Sequence, residues 1–251
     1  MKYRNILFWL LAVVITLGAS VYQRASGPTN PKKAVVSINE QQYHLKFPRS
    51  ITTDDRIVRL KINDSSAVAT MYYRLYGTFS DYSALVFEHS SDGTMVTTLP
   101  SLKALQKIEY YIVINDSSLF EDQPLVLRYK DSVPSLLLIV HILLMFASML
   151  FASYGFIMAF AKSEKVKKYL LLTIYTLVGG GFLFGALVQK YAFGVYWSGF
   201  PFGSDVTDNK TLIALIALLL ALPFGKKPFF RYVAMVSFAV MFLVFCIPHS
   251  I

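Results

Sequence analysis

Residues 124–160 read PLVLRYKDSVPSLLLIVHILLMFASMLFASYGFIMAF. The opening PLVLRYK alternates in character, the period of a strand with one buried face. From Pro134 the alternation is lost, and an apolar run without a formal charge continues to Phe160. A membrane span needs about 20 such residues. One line of sequence thus passes from sheet to membrane helix, and the change of period near residue 132 divides the chain.

Towards the N-terminus the period of two holds back to about residue 34. AVVSIN, QYHLKF, RIVRLKI, VATMYYRLYGT, SALVFEH, TMVTTL and KIEYYIVI join PLVLRYK as candidate strands. Asn-Asp-Ser at 63–65, Asp-Gly at 92–93 and Asn-Asp-Ser-Ser at 115–118 supply turn chemistry between them. Short strands at this spacing predict an all-β sandwich of immunoglobulin-like or fibronectin-like type over residues 24–132. It begins with a Pro/Gly-containing linker, RASGPTNPKK, at 24–33. The segment has no cysteine, so its core alone must hold it together. Alternation sets Tyr72 and Tyr76 on one face with Arg74 between them and Tyr73 on the other. With Tyr82 they form a candidate contact face.

Further apolar runs cover residues 5–22, about 169–189, 206–223 and 231–248. With 134–160 they predict five spans. The expected architecture is an α-helical membrane protein with an inserted extracytoplasmic β-domain: an N-terminal anchor at 1–23, the β-domain at 24–132 and a four-helix membrane domain at 133–251. A hydrophobic share of 55% and a mean hydropathy of +0.50 agree. Residues 5–22 also resemble a signal-peptide core, but Leu17 stands at the −3 position of the best cleavage site, so a retained anchor is expected.

The net charge of +9 invites a nucleic-acid reading, but its distribution excludes one. Residues 25–132 hold 12 Lys/Arg against 12 Asp/Glu, and no basic patch with interleaved aromatics exists. The excess lies almost entirely in three clusters beside apolar runs: Lys2 and Arg4; Lys162, Lys165, Lys167 and Lys168 with Glu164; and Lys226, Lys227 and Arg231. By the positive-inside rule these face the cytoplasm. The expected location is the bacterial inner (cytoplasmic) membrane, with the N-terminus inside and both the β-domain and the C-terminus in the periplasm. The single cysteine, Cys246, allows no intramolecular disulfide.

Three features of the membrane half carry polar or soft chemistry. Residues 197–211, WSGFPFGSDVTDNKT, precede the fourth run. Tyr191, Phe193, Tyr196, Trp197, Phe200 and Phe202 suit headgroup depth. Gly199, Pro201 and Gly203 forbid a regular helix there. TLIALIALLLALPF alone is short for a span, so that helix must borrow Asp208, Asn209 and Lys210 as its first turn. Thr207 or Asp208 is then the expected N-cap. Two readings stand side by side: a capped helix start with a local ion pair, and a polar membrane site built from Asp205, Thr207, Asp208, Asn209 and Lys210.

The second feature is His141, Met145 and Met149, at i, i+4 and i+8 on one helical face. Imidazole and thioether are a soft set suited to copper or haem. The alternative is a buried histidine bonded to a neighbouring helix, with methionines as filler. A second axial histidine for haem would have to be His249, because His44 and His89 lie among the strands. The third feature is the small-xxx-small pair Gly181 and Gly185, for packing within the chain or against a second copy.

YQRASGPT at 22–29, MYYRLYGTFSDYS at 71–83, KIEYYIVI at 107–114, VHILLMF at 140–146 and WSGFPFGSDVTDNKT at 197–211 together resemble a family of uncharacterised bacterial polytopic membrane proteins. The resemblance covers most of the chain. It implies a retained first span, a cell-envelope location with the β-domain in the periplasm, and importance for the first and last motifs. It assigns no activity.

There is no Gly-x-Ser-x-Gly, no His-Glu-x-x-His and no phosphate loop. The leading expectation is therefore a non-enzymatic envelope protein: an accessory or scaffold subunit of a larger membrane assembly, embedded in the lipid bilayer and binding other membrane or periplasmic proteins. Alternatives are an ion-coupled transport subunit using residues 205–211, and a metal- or haem-binding redox component.

Overall fold

The computed structural model describes residues 2–248, with the backbone alone for Lys2. The chain forms two compact units. One is helical and joins the residues up to Pro28 to those from Val133 onward; the other is strand-rich and runs from Thr29 to Ser132.

The helical unit contains α1 (Lys2–Ser26), α2 (Ser135–Phe160), α3 (Val166–Leu177), a π-helical segment (Val178–Phe184), α4 (Gly185–Phe193), α5 (Val206–Ala221) with a 3-10 turn (Leu222–Phe224), and α6 (Phe230–Cys246). Four helical runs are long and apolar enough to cross a membrane: Tyr3–Ser26, Ser135–Phe160, Val166–Phe193 and Val206–Phe224.

The expectation of five spans is not met, because α6 has only 17 residues. Proline explains where it stops. The residue before a proline is pushed out of the helical region, and Ile247, before Pro248, is extended at ψ 125°. Leu170, Leu218, Phe238 and Met241 form the centre of this unit. Trp9 of α1 stacks on Tyr154 of α2 at 3.9 Å, so the first helix is packed into it.

The strand-rich unit holds β1 (Lys32–Ile38), β2 (Gln41–Phe47), β3 (Ser50–Thr52), β4 (Ile57–Leu60), β5 (Ala69–Leu75), β6 (Ser83–Val86), β7 (Glu88–His89), β8 (Met95–Thr98), β9 (Lys107–Ile114), β10 (Ser117–Leu119) and β11 (Leu125–Lys130). They form three sheets: a β1–β2 pair, a six-stranded sheet in the order β3-β11-β9-β5-β6 with β10 beside β9, and β4-β8-β7.

This overturns the expected all-β sandwich of immunoglobulin-like or fibronectin-like type. Such a fold needs two antiparallel sheets face to face. Here β3 runs parallel to β11, and β1–β2 separate as their own pair. The run SALVFEH splits between two sheets: Val86 pairs with Thr70 of β5, whereas Glu88 pairs with Val96 of β8. Alternation reports which side chains are buried, not which strand lies alongside. All three sheets share one core, where Phe47, Leu60, Met71, Met95, Tyr110 and Tyr129 are fully buried.

Candidate functional site

The 197–211 stretch folds as a loop latched onto the start of a helix. Gly194 ends α4 in the left-handed conformation at φ 82°, a position that favours glycine. The chain then turns through residues 195–205 into α5. The N-cap is Asp205, not the expected Thr207 or Asp208: its Oδ1 accepts from the Thr207 and Asp208 amides at 2.8 and 3.1 Å.

That frees Asp208 to reach backwards. Its Oδ2 accepts from the Ser198 amide at 2.6 Å, the Gly199 amide at 3.1 Å and the Ser198 hydroxyl at 3.3 Å. Asn209 Oδ1 accepts from the Phe200 amide at 2.6 Å, and Gln189 Nε2 of α4 donates to Ser198 Oγ. Thr207 contributes its carbonyl to the Thr211 hydroxyl at 2.9 Å. A buried carboxylate at a helix N-terminus, fed by loop amides, makes charge-assisted hydrogen bonds in its preferred electrostatic position.

Two glycines make the close approach possible. A Cβ on Gly199 would stand 2.6 Å from Asp208 Cβ, and one on Gly203 would stand 2.3 Å from the Ser198 carbonyl oxygen. The Phe200–Pro201 peptide between them is cis. Trp197 stacks on Phe182 of the π-helical segment at 5.4 Å and donates from Nε1 to the Phe200 carbonyl at 3.0 Å. Tyr191, Tyr196, Phe200 and Phe202 are exposed around the loop.

Lys210 makes the opposite connection. It is only 3% exposed, and its Nζ donates to the Ile247 carbonyl at 2.7 Å, at the end of α6. The ammonium meets a terminal carbonyl, where a cation complements the helix dipole.

His141 lies elsewhere. Its Nδ1 bonds to the Gly180 carbonyl of the π-helical segment at 2.8 Å. A carbonyl only accepts, so Nδ1 carries the proton and Nε2 of the neutral ring keeps a lone pair. Gly180 must be small for this contact, since a Cβ there would come within 2.9 Å of Leu144 Cβ and 3.0 Å of Met145 Sδ. Gly181 faces Thr211 of α5, and Gly185 faces the His141 ring. Both members of the small-residue pair therefore pack within this chain. The π-helical segment touches both sides: its Gly180 carbonyl bonds to His141, and its Gly181 faces Thr211 of α5.

A cavity of about 160 Å³ opens beside His141, with Met145 and Met149 of α2, Ser20 and Gln23 of α1, and Phe245 of α6 in its wall. That is below the roughly 300–1,000 Å³ of drug-sized ligand sites. His249, the proposed partner for metal or haem, lies outside the described residues. His44 and His89 are in β2 and β7. No three His, Cys, Asp or Glu side chains gather for a metal among the described residues.

In the strand-rich unit, Tyr72 of β5 stacks on Tyr111 of β9 at 5.0 Å. Tyr82 meets Tyr111 edge-on at 5.1 Å, and the Arg74 guanidinium sits 4.4 Å above Tyr82 while pairing with Glu109. Tyr73 turns to the other side, against the core. Phe79, in the β5–β6 connection, is fully exposed.

Sequence reasoning missed three groups of this architecture: Ser198 as the hub of the latch, Ile247 as the partner of Lys210, and the π-helical segment. Only the last left a trace, in Gly179-Gly180-Gly181. Comparison of the chain with protein-family models, with curated proteins and with solved structures finds no match.

Proposed function

We propose that this protein is a non-enzymatic subunit of a larger assembly in the bacterial cytoplasmic membrane, with its N-terminus in the cytoplasm and its strand-rich unit in the periplasm, where it binds another envelope protein. One observation carries the reading. The densest polar cluster of the helical unit is spent on architecture: Asp208 holds the Ser198 and Gly199 amides, Asn209 holds the Phe200 amide, and Lys210 holds the Ile247 carbonyl. A transported ion would have to compete with these bonds.

Orientation rests on the lysine and arginine clusters before α1, between α2 and α3, and between α5 and α6. The contact surface is the Tyr72, Tyr82, Tyr111 and Arg74 face with exposed Phe79 beside it. Tyrosine and arginine are the side chains that most often anchor protein interfaces.

The test is gentle detergent extraction from native membranes followed by mass spectrometry. A partner present in stoichiometric amount, and lost from a Phe79→Asp variant that keeps its thermal midpoint, is the expected result. Isolation of the chain alone, together with an ion flux in proteoliposomes that Asp208→Asn abolishes, would replace this reading with the transport one.

A further inference from the structure

A second cavity, of about 470 Å³, lies in the strand-rich unit. Ser50, Ile51 and Thr52, the whole of β3, line it, and so do Ile57, Val58 and Arg59 of β4. Successive side chains of a strand point to opposite faces. A wall made of three consecutive residues is therefore the edge of a strand, where the backbone is displayed, and not one of its faces. Both strands end their sheets: β3 is terminal in the order β3-β11-β9-β5-β6, and β4 in the order β4-β8-β7. On the inner side of β3 the Arg49 carbonyl accepts from the Arg128 amide at 3.1 Å, and the Thr53 amide donates to the Lys130 carbonyl at 2.9 Å. Backbone groups alternate sides along a strand, so those of Ser50 and Thr52 point away from β11. An edge of this kind is ready to pair with another chain. The β4 edge is less open, because Asp55 Oδ1 takes the Ile57 amide at 3.4 Å.

The charge around the β3 edge selects what can pair with it. Lys46 of β2, Arg59 of β4 and Lys130 of β11 line the same cavity, against the single acid Asp55. Lys33 stands opposite Lys46 in the β1–β2 pair and adds to the same sign. No ion pair engages Lys46, Arg59 or Lys130 among the described residues. Lysines beside an edge turn away a second copy of the same edge, and an acidic strand is the one whose charge complements them. We propose that this groove binds an extended acidic peptide segment of a partner protein. The segment adds as a strand along β3, its main chain bonded to Ser50 and Thr52 and its carboxylates set against Lys46, Arg59 and Lys130. Addition of a strand to an open edge draws affinity from the main chain and specificity from the flanking side chains. The three residues of β3 span about 10 Å at 3.3 Å per residue, so the paired segment is short. The groove shares no residue with the Tyr72, Tyr82 and Tyr111 face, and either proposal can fail without the other.

The test uses the full-length protein in a non-ionic detergent and the peptide acetyl-Glu-Val-Glu-Val-Glu carrying a neutral fluorophore, followed by fluorescence anisotropy. Saturable binding that weakens with added salt is expected, and acetyl-Lys-Val-Lys-Val-Lys should not bind. Methylating two backbone nitrogens of the acidic peptide removes two main-chain donors. It is expected to cost about tenfold or more, since each hydrogen bond is worth about two- to tenfold. The triple variant Lys46→Gln, Arg59→Gln, Lys130→Gln is also expected to lose about tenfold or more, each exposed ion pair being worth up to about fivefold. Phe79→Asp, outside the groove, is expected to leave the affinity unchanged. The methylated peptide is compared on the unmodified protein, so that readout survives if the triple variant fails to fold. Equal affinity for the methylated peptide, or displacement of the acidic peptide by an equal concentration of inorganic phosphate or glycerol phosphate, would assign the groove to a small anion and overturn the proposal. Binding no stronger than to empty micelles, or unchanged affinity in a folded triple variant, would overturn it as well.

Discussion

Asp208 Oδ2 lies 2.6 Å from the backbone nitrogen of Ser198, so a carboxylate in the first turn of α5 reaches back ten residues to fix the loop that delivers the helix. The same oxygen takes the Gly199 amide and the Ser198 hydroxyl. The latch is therefore concentrated on one atom, and its removal has graded consequences.

Asp208→Asn keeps an oxygen in place and loses the charge, and charge-assisted hydrogen bonds are about twice as strong as neutral ones. Asp208→Ala leaves two loop amides without their acceptor, at about 1–3 kcal/mol for each buried donor. Thermal unfolding in detergent should therefore rank wild type above Asp208→Asn above Asp208→Ala. Trp197 fluorescence is the direct probe, because that indole closes on the Phe200 carbonyl inside the loop. Equal midpoints for all three proteins would mean that the latch contributes nothing to stability.

The glycines of the loop make a steric prediction. Gly199→Ala sets a methyl 2.6 Å from Asp208 Cβ, and Gly203→Ala sets one 2.3 Å from the Ser198 carbonyl oxygen. Neither obstacle is the end of a flexible side chain, so the loop must lift from α5 and stretch the bonds to Asp208. Each variant is expected to cost about 1–3 kcal/mol, the usual range for overpacking. Gly18→Ala in α1 is the control. Its Cβ meets nothing within 4 Å, and alanine is the better helix former. A midpoint for Gly199→Ala or Gly203→Ala as high as that of Gly18→Ala would refute the close-contact account.

How much of this was legible in the sequence depends on the range over which each feature is determined. KIEYYIVI is β9 at Lys107–Ile114, because burial on alternate residues is a local property that the pattern displays. The division of SALVFEH between two sheets is set by β5 and β8, elsewhere in the chain, and the pattern carries no record of either partner. The three-residue strands β3 and β10 are too short to show a period. At the site, the turn chemistry of Asp205-Val206-Thr207-Asp208 announced a capped helix. The choice of Asp205 as cap depends on Asp208 being drawn to Ser198, a contact across the loop that no local pattern encodes. The tie from Lys210 to Ile247 spans 37 residues and was beyond reach for the same reason. The short α6 was the recoverable error, since Pro248 stands in the sequence and limits the helix before it.

The strand-rich unit makes a prediction about pH. Tyr110 and Tyr129 are fully buried, and their hydroxyls donate to the Pro48 and Pro100 carbonyls at 2.7 and 3.0 Å. Burial raises the pKa of both phenols, that of Tyr129 to about 12, against the opposing influence of Arg49 on Tyr110 and Arg56 on Tyr129. In the unfolded chain both ionise near pH 10. The folded state thus holds these protons to higher pH than the unfolded one, and the associated stability is complete below about pH 10 and declines as pH rises through about 12. Ionisation also removes the donor from each carbonyl and leaves charge in the core. Equilibrium denaturation in urea, followed by circular dichroism with tyrosinate absorbance recorded in parallel, should give a flat midpoint up to about pH 9 and a fall above about pH 10. Tyr129→Phe cannot ionise. It should start lower, by about 1 kcal/mol for the lost hydrogen bond, and fall less steeply in alkali. A wild-type protein that loses stability no faster than Tyr129→Phe over that window would show that Tyr129 ionises without opposing the fold.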